Sequence, residues 1–384
     1  MSFSRVKNLI DTMPQRGIPF FEIAVTKSGK EVFRHRVGFS DADGKRALAS
    51  DDLYWLYSTS KPITCTAAMR LIEEGIIDLR DPVSKYIPSF ERLTVKRHDG
   101  SIEPCKTRMT IEHLFTMTSG IGPDHEKHIA QCVSKSKPNG DTLSLLASIP
   151  EIPLHFEPGT HYQYGLSHDV LAGVVEVASG IRFSEYVKKY ILEPLGMSNT
   201  GYRPTNEQRS RFASTYKYND SNGTSTPVPT NNWLLFTPEY DSGGAGLFSC
   251  CQDYIKFATV LACGGVAPNG YRLLSEESIK MMGENRLCDE ALKDFVQGRL
   301  HGYGWGLCGR AHINPVFSLS KSAIGEFGWD GAAGCFTSID RENEVAIFFG
   351  MQVLNCSYSY IILQPLIRTL VYEALEAEEG KCSK

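Results

Sequence analysis

Long apolar runs are missing from this chain: no stretch approaches the roughly 18 uninterrupted apolar residues that a bilayer-crossing helix needs. The opening Met1-Ser2-Phe3-Ser4-Arg5-Val6-Lys7 lacks the apolar core of a secretory leader, so a cytoplasmic protein with no membrane partner is expected. A strong charge of one sign is also missing. Lys and Arg number 40 against 44 Asp and Glu, a formal charge of −4, and no basic run is interleaved with aromatics, which argues against nucleic acid as a partner. The third absence is a disulfide or metal framework. Eleven cysteines are an odd number, they are scattered, and no Cys-x-x-Cys occurs, so free and mostly buried thiols are expected. Cys250 and Cys251 are adjacent and would point apart, and no His and Cys cluster at ligand spacing, so neither a metal nor a cofactor is expected.

What is present is material for a sizeable core, 42% hydrophobic residues in a chain of 384, enough for one large domain or two intimate ones. Phe20 to Thr26 and Glu31 to Val37 read as two strands around Lys27-Ser28-Gly29-Lys30, and Gly334 to Ile339 with Val345 to Gly350 read as a second hairpin. A helical pattern from Gln364 to Glu379 is expected to stop at Gly380. Between these ends, helical patterns run over Ile111 to Met117, Leu143 to Ala147, Asp169 to Ala178, Phe183 to Ile191 and Tyr254 to Leu261, and Asn219 to Asn232 reads as an exposed loop. The expectation is an α+β fold. Residues 1–60 and 240–384 would share an antiparallel sheet flanked by helices, with 61–239 as an inserted, mainly helical region.

Ser-x-x-Lys occurs at Ser4/Lys7, Ser58/Lys61, Ser134/Lys137, Ser214/Lys217 and Ser318/Lys321. At that spacing a serine and a lysine share one helix face, where an amine could activate a hydroxyl nucleophile. Context singles out Ser58. Pro62 suits a first helical turn, Ala68, Met69, Leu71 and Ile72 follow, and Gly75 supplies a stop. Ser134 instead reads as part of a Lys-Ser-Lys-Pro loop, and no helical pattern follows Ser318.

Six further landmarks follow in order. They are Glu74 to Pro88, Thr110 to Gly120, Pro158-Gly159-Thr160 with Tyr164, Glu193 to Met197, Gly243 to Leu247, and Trp329-Asp330-Gly331-Ala332-Ala333-Gly334. Together with Ser58-Thr59-Ser60-Lys61 the series resembles, over nearly the whole chain, the class C β-lactamase-like serine hydrolases. That superfamily includes family VIII carboxylesterases, penicillin-binding-protein-like D-amino-acid peptidases and acyltransferases. The resemblance implies a β-lactamase/transpeptidase-like fold, Ser58 as nucleophile, Lys61 as its partner and Tyr164 as base, with the backbone N–H groups of Ser58 and Ala332 as oxyanion hole. Lys61 and Tyr164 would then act as a coupled pair.

Departures from the β-lactamase pattern refine this. Tyr-x-Asn is here Tyr164-Gly165-Leu166, and Lys-Thr-Gly is here Trp329-Asp330-Gly331. A cation that would bind a carboxylate is lost and a potential anion gained, so Trp329, Asp330 and Gly331 are expected to line a pocket for neutral acyl substrates. The expected function is an esterase acting on small carboxylic esters. β-Lactamase or D-amino-acid peptidase activity, acyl transfer to an alcohol, and a silent scaffold are the alternatives. His168 and Asp169 are not expected to complete a Ser-His-Asp triad, because no Gly-x-Ser-x-Gly elbow occurs; Asp169 reads as a brace for its own helix. His113 reads as a satisfied helix histidine, and Tyr303, Trp305 and Trp233 as packing residues.

Overall fold

A computed structural model describes residues 3–297 and 300–382. Seven strands form one antiparallel sheet in the spatial order Lys30–Gly38, Phe20–Lys27, Val345–Gly350, Phe336–Asp340, Phe327–Gly328, Arg310–His312 and Tyr303–Trp305. The first hairpin therefore pairs with the last: Glu22 faces Gly350 and Lys27 faces Val345. Val345 to Gly350 is buried at every position rather than at alternate ones, because both faces of the sheet are covered. Phe348 stacks on Tyr254 of the Cys251–Ala262 helix, with ring centroids 4.5 Å apart. Phe349, turned to the other face by the strand's period of two, packs on Phe21 and Phe336. The C-terminal helix reaches this region too, since the Tyr372 hydroxyl donates to Asp340. This is the α+β arrangement that the hairpins at both ends predict.

The central helix, Lys61–Glu73, is buried on nearly every side and lies against the Ser167–Ser179 helix. Pro62 sits in its first turn, and Gly75, at φ +69°, follows its last. Ile63, Met69 and Leu71 are buried, each contributing about 1.5–3 kcal/mol of transfer free energy. The Ile111–Phe115 helix packs on Ser167–Ser179 as well, and its start is capped by His113, whose Nδ1 accepts from the Thr110 N–H at 3.1 Å. Burial holds His113 down to about 4, so it is neutral and free to accept.

Three local expectations need correction. Asn219 to Asn232 is not a plain loop: Thr215–Asn219 and Thr224–Val228 pair as a hairpin, turned at Asn222-Gly223 with Gly223 at φ +68°. Asn-Gly closing the four-residue loop 220–223 is a turn signal that the polar composition obscured. Ser134 lies within a helix, Pro123–Lys135, whose only buried residues are His125 and Ile129, too few to mark an apolar stripe. Ser318 closes a short helix, Pro315–Ser318, and no helix follows it, as the sequence indicates. The C-terminal helix runs on to Cys382, past Gly380. Among the described residues no helix is long and apolar enough to cross a membrane.

Candidate active site

Leu56 and Tyr57 lead out of the short strand Tyr54–Trp55 into a tight turn, Tyr57–Ser60, that continues directly as the Lys61–Glu73 helix. Tyr57 holds φ at +47°, costly for a bulky side chain and tolerated only where surroundings over-determine it. They do so here. The Tyr57 hydroxyl donates to Asn231 O at 2.9 Å and its ring packs on Trp233, while Tyr254 donates to Thr59 O at 2.8 Å and Ser60 Oγ accepts from the Leu247 N–H at 3.1 Å.

Lys61 is 3% exposed. Its ammonium donates to Ser58 Oγ at 3.2 Å and to Gly244 O at 2.7 Å, and stands 4.6 Å from the centroid of the Tyr164 ring. The sequence-predicted trio of Ser58, Lys61 and Tyr164 is thus brought together. The Gly243 to Leu247 landmark is explained by the same contacts. Thr64 Oγ1 donates to Gly243 O at 2.6 Å, and a Cβ at Gly244 would stand 2.4 Å from an oxygen of Asp169. Only glycine lets this loop pass between the lysine and the carboxylate.

Asp169 does not brace its own helix, as its position suggested. Buried in the first turn of Ser167–Ser179, it accepts from the Tyr240 hydroxyl at 3.0 Å and the Ser242 hydroxyl at 2.7 Å, so it ties the Tyr240 to Gly244 loop. Burial pushes its carboxyl up, against the Lys61 charge and these hydrogen bonds, which pull it down. Its neighbour His168 donates from Nε2 to Phe115 O at 3.0 Å and is held down to about 3 by burial and by the Lys61 charge. Neither makes a triad with Ser58.

Tyr164 sits in an aromatic cluster. Its ring stacks on Trp329 with centroids 5.8 Å apart and meets Trp305 edge-on at 6.1 Å. Trp305 is fully buried and fastened by its N–H to Phe115 O, a packing residue as expected. Trp329 does more than line a pocket: its indole N–H donates to the Tyr164 hydroxyl at 2.9 Å. The expectation missed this because it treated the lost lysine of Lys-Thr-Gly only as a lost substrate contact. A tryptophan in that place still brings a hydrogen-bond donor.

Ala332 lies in the turn between Phe327–Gly328 and Phe336–Asp340, not on a strand edge. This turn is pressed onto the one that carries Ser58. A Cβ on Gly331 would stand 2.1 Å from Leu56 O, Thr59 Oγ1 donates to Cys335 O at 3.1 Å, and the Gly331 N–H donates to Cys335 O at 2.8 Å. Among the described residues the Ala332 N–H donates to no main-chain acceptor. Tyr360, a residue that sequence reading passed over, places its hydroxyl 3.0 Å from Gly331 O and 2.9 Å from Ala332 O. Asp330 is half-buried, and its charge acts on the buried Arg310 guanidinium.

A cavity of about 530 Å³ opens onto these groups, walled by Ser58, Tyr162, Tyr164, Phe295, Trp329 and Ile361. A larger cavity of about 860 Å³ lies elsewhere, between Arg34, Glu193 and Lys256, and touches none of the trio. The chemistry and this larger hollow are therefore separate.

The family model described as Beta-lactamase matches residues 6–355. Esterase EstB of Burkholderia gladioli is 29% identical over 346 residues, 83% of this chain and 81% of that protein. Acyltransferase calJ of Penicillium decumbens is 29% identical over 369 residues, 86% and 83% of the two chains. In three dimensions the chain is similar to EstCE1, described as a hydrolase with promiscuous acyltransferase activity, at a TM-score of 0.81 over 97% of this chain and 98% of that one; at 21% identity this is a likeness of fold.

Proposed function

This chain belongs to the beta-lactamase family, and we propose that within it the protein is a serine esterase that cleaves small neutral carboxylic esters through an acyl-Ser58 intermediate. The observation that carries the reading is the placing of one buried ammonium, Lys61, on Ser58 Oγ and over the Tyr164 ring, with Trp329 donating to the Tyr164 oxygen. These contacts fix the Tyr164 ring and its oxygen beside the serine and the lysine. Tyr164 then takes the Ser58 proton as Oγ attacks the ester carbonyl, and returns it to the departing alkoxide. The carbonyl oxygen, now negative, is held by the N–H groups of Ser58 and Ala332. Water, deprotonated by the same tyrosine, attacks the acyl-enzyme and releases the carboxylic acid and Ser58.

Preference for neutral esters is supported by the aromatic and apolar lining and by Asp330, the carboxylate at its edge. The likeness to EstB favours the same class. A second reading, transfer of the acyl group to an alcohol instead of water, is favoured by the likeness to calJ. The site would lie at the junction of the sheet region, 1–60 and 240–384, and the helical region, 61–239.

The test is turnover of short- and medium-chain p-nitrophenyl esters and of a chromogenic cephalosporin by wild type and Ser58→Ala, with and without an added alcohol. Ester turnover abolished in Ser58→Ala is expected. Turnover surviving that change overturns the mechanism, efficient cephalosporin cleavage overturns the substrate class, and ester formation outpacing hydrolysis selects the second reading.

A further inference from the structure

Away from the cleft, three side chains of different chemistry converge at one point. His128 and Cys132 lie one turn apart on the Pro123–Lys135 helix, and Glu151 ends the Ile149–Glu151 turn that packs against it. His128 Nε2 is 3.1 Å from Glu151 Oε2 and 3.6 Å from Cys132 Sγ, and the three ligand atoms all lie within 4.8 Å of one another. The sequence reading that no His and Cys fall at ligand spacing overlooked this pair, because a helix turns a gap of four residues into a shared face.

Hydrogen bonding accounts for His128 and Glu151 but leaves the Cys132 sulfur without a strong partner in the cluster. A single imidazole nitrogen cannot both donate to a carboxylate and accept from a thiol, so one of the two contacts is left to a weak interaction with sulfur. A metal ion satisfies all three at once. With bonds of about 2.3 Å to sulfur and about 2.0–2.1 Å to nitrogen and oxygen, tetrahedral angles put S and N roughly 3.5 Å apart and N and O roughly 3.3 Å apart. The observed separations of 3.6 and 3.1 Å sit close to both, and the third edge, sulfur to oxygen, is within 4.8 Å, so a small rotation of the exposed Glu151 side chain would close the site. Thiolate, imidazole and carboxylate together suit zinc and its borderline neighbours rather than magnesium or calcium, which take oxygen ligands.

We propose that His128, Cys132 and Glu151 form a binding site for a divalent transition metal of the zinc class, with solvent in the fourth position. Binding converts the Cys132 thiol to a thiolate, and its proton leaves to the buffer. The bound ion clips the Pro123–Lys135 helix to the Ile149–Glu151 turn. That helix follows directly on Ile121, whose carbonyl abuts Gly165 beside Tyr164, so the clip steadies one wall next to the tyrosine without entering the cleft.

The test uses the full chain, stripped with a chelator and titrated with Co²⁺, whose thiolate charge-transfer absorption reports sulfur ligation, and with Zn²⁺ as competitor. A stoichiometric charge-transfer band displaced by Zn²⁺ is expected in the wild type, and its loss in Cys132→Ser. Glu151→Gln, at an exposed side chain that folding does not need, is expected to retain the band with affinity lowered about tenfold or more, since even outer partners of a metal ligand are worth that much. Absence of the band in wild type overturns the site. So does a band that persists in Cys132→Ser, which would place the metal on another thiol such as the exposed Cys288.

Discussion

Trp329 Nε1 donates a hydrogen bond to the hydroxyl oxygen of Tyr164 at 2.9 Å, across a sequence separation of 165 residues. The donor ties the tyrosine to the turn that also carries Ala332, so the base and the oxyanion hole of the proposed mechanism are set by one short segment. Trp329→Phe keeps an aromatic ring for the stacking and removes the N–H together with part of the ring volume. A hydrogen bond to a charged oxygen is worth about 1.5–3 kcal/mol, so kcat on a p-nitrophenyl ester is expected to fall roughly ten- to hundredfold with KM little changed. A kcat equal to wild type would leave Trp329 as packing alone.

Tyr360 holds the same turn from its other side through Gly331 O and Ala332 O. Tyr360→Phe frees these carbonyls and loosens the Ala332 amide. Loss of an oxyanion donor costs about 10²–10³ in rate, and misplacing one costs less, so a drop in kcat of about tenfold is expected, without a matching rise in KM. Steady-state kinetics at matched thermal stability separates this from general unfolding; a change confined to Tm would remove the positioning role.

Asp169 is a buried carboxylate beside the Lys61 ammonium. Asp169→Asn keeps an oxygen for Tyr240 and Ser242 but leaves the lysine without its counter-charge. The two groups make no direct ion pair but face each other across Gly244, so urea unfolding is expected to show a loss of about 1–3 kcal/mol. Unchanged stability would mean that the two charges do not depend on each other.

Three histidines are held as neutral bases, His125 and His168 fully buried and His113 partly so: His113 and His125 are held down to about 4 and His168 to about 3, each mainly by loss of solvation. Their unfolded value is about 6.5, so between that pH and about 4 the unfolded chain binds more protons than the native one. The stability they contribute is complete above pH 6.5 and is lost as the pH falls. The urea midpoint is therefore expected to be lower at pH 5 than at pH 7. His113→Gln provides the control, because Gln at that place can keep the cap on Thr110 while removing one titrating site. Its midpoint should depend less on pH, and an equal dependence would remove His113 from the account.

Legibility in the sequence followed the range of the interaction. The hairpin Phe20–Lys27 with Lys30–Gly38 and the helix after Ser58 were readable because turn chemistry and apolar spacing are local. Ser58, Lys61 and Tyr164 could be named because ordered landmarks bracket them. What stayed hidden joins distant residues: Asp169 with Ser242, Trp329 with Tyr164, Tyr360 with Gly331. Residue type shows only that a donor exists, not which acceptor folding will bring to it. The positive φ of Tyr57 was hidden for a related reason, since a strained residue is chosen by its surroundings and not by its own preference.

The pairing of the first hairpin with the last has a consequence for the order in which the molecule can be made. Phe20–Lys27 has no partner on its inner edge until Val345–Gly350 has been synthesised, and Thr59 meets Cys335 only across 276 residues. A growing chain thus carries its serine and lysine early, beside a strand with an open edge and without the turn that completes the pocket. A chain that stops short of Cys335 and Val345–Gly350 is therefore a folding hazard, and it also lacks the turn on which the proposed mechanism depends.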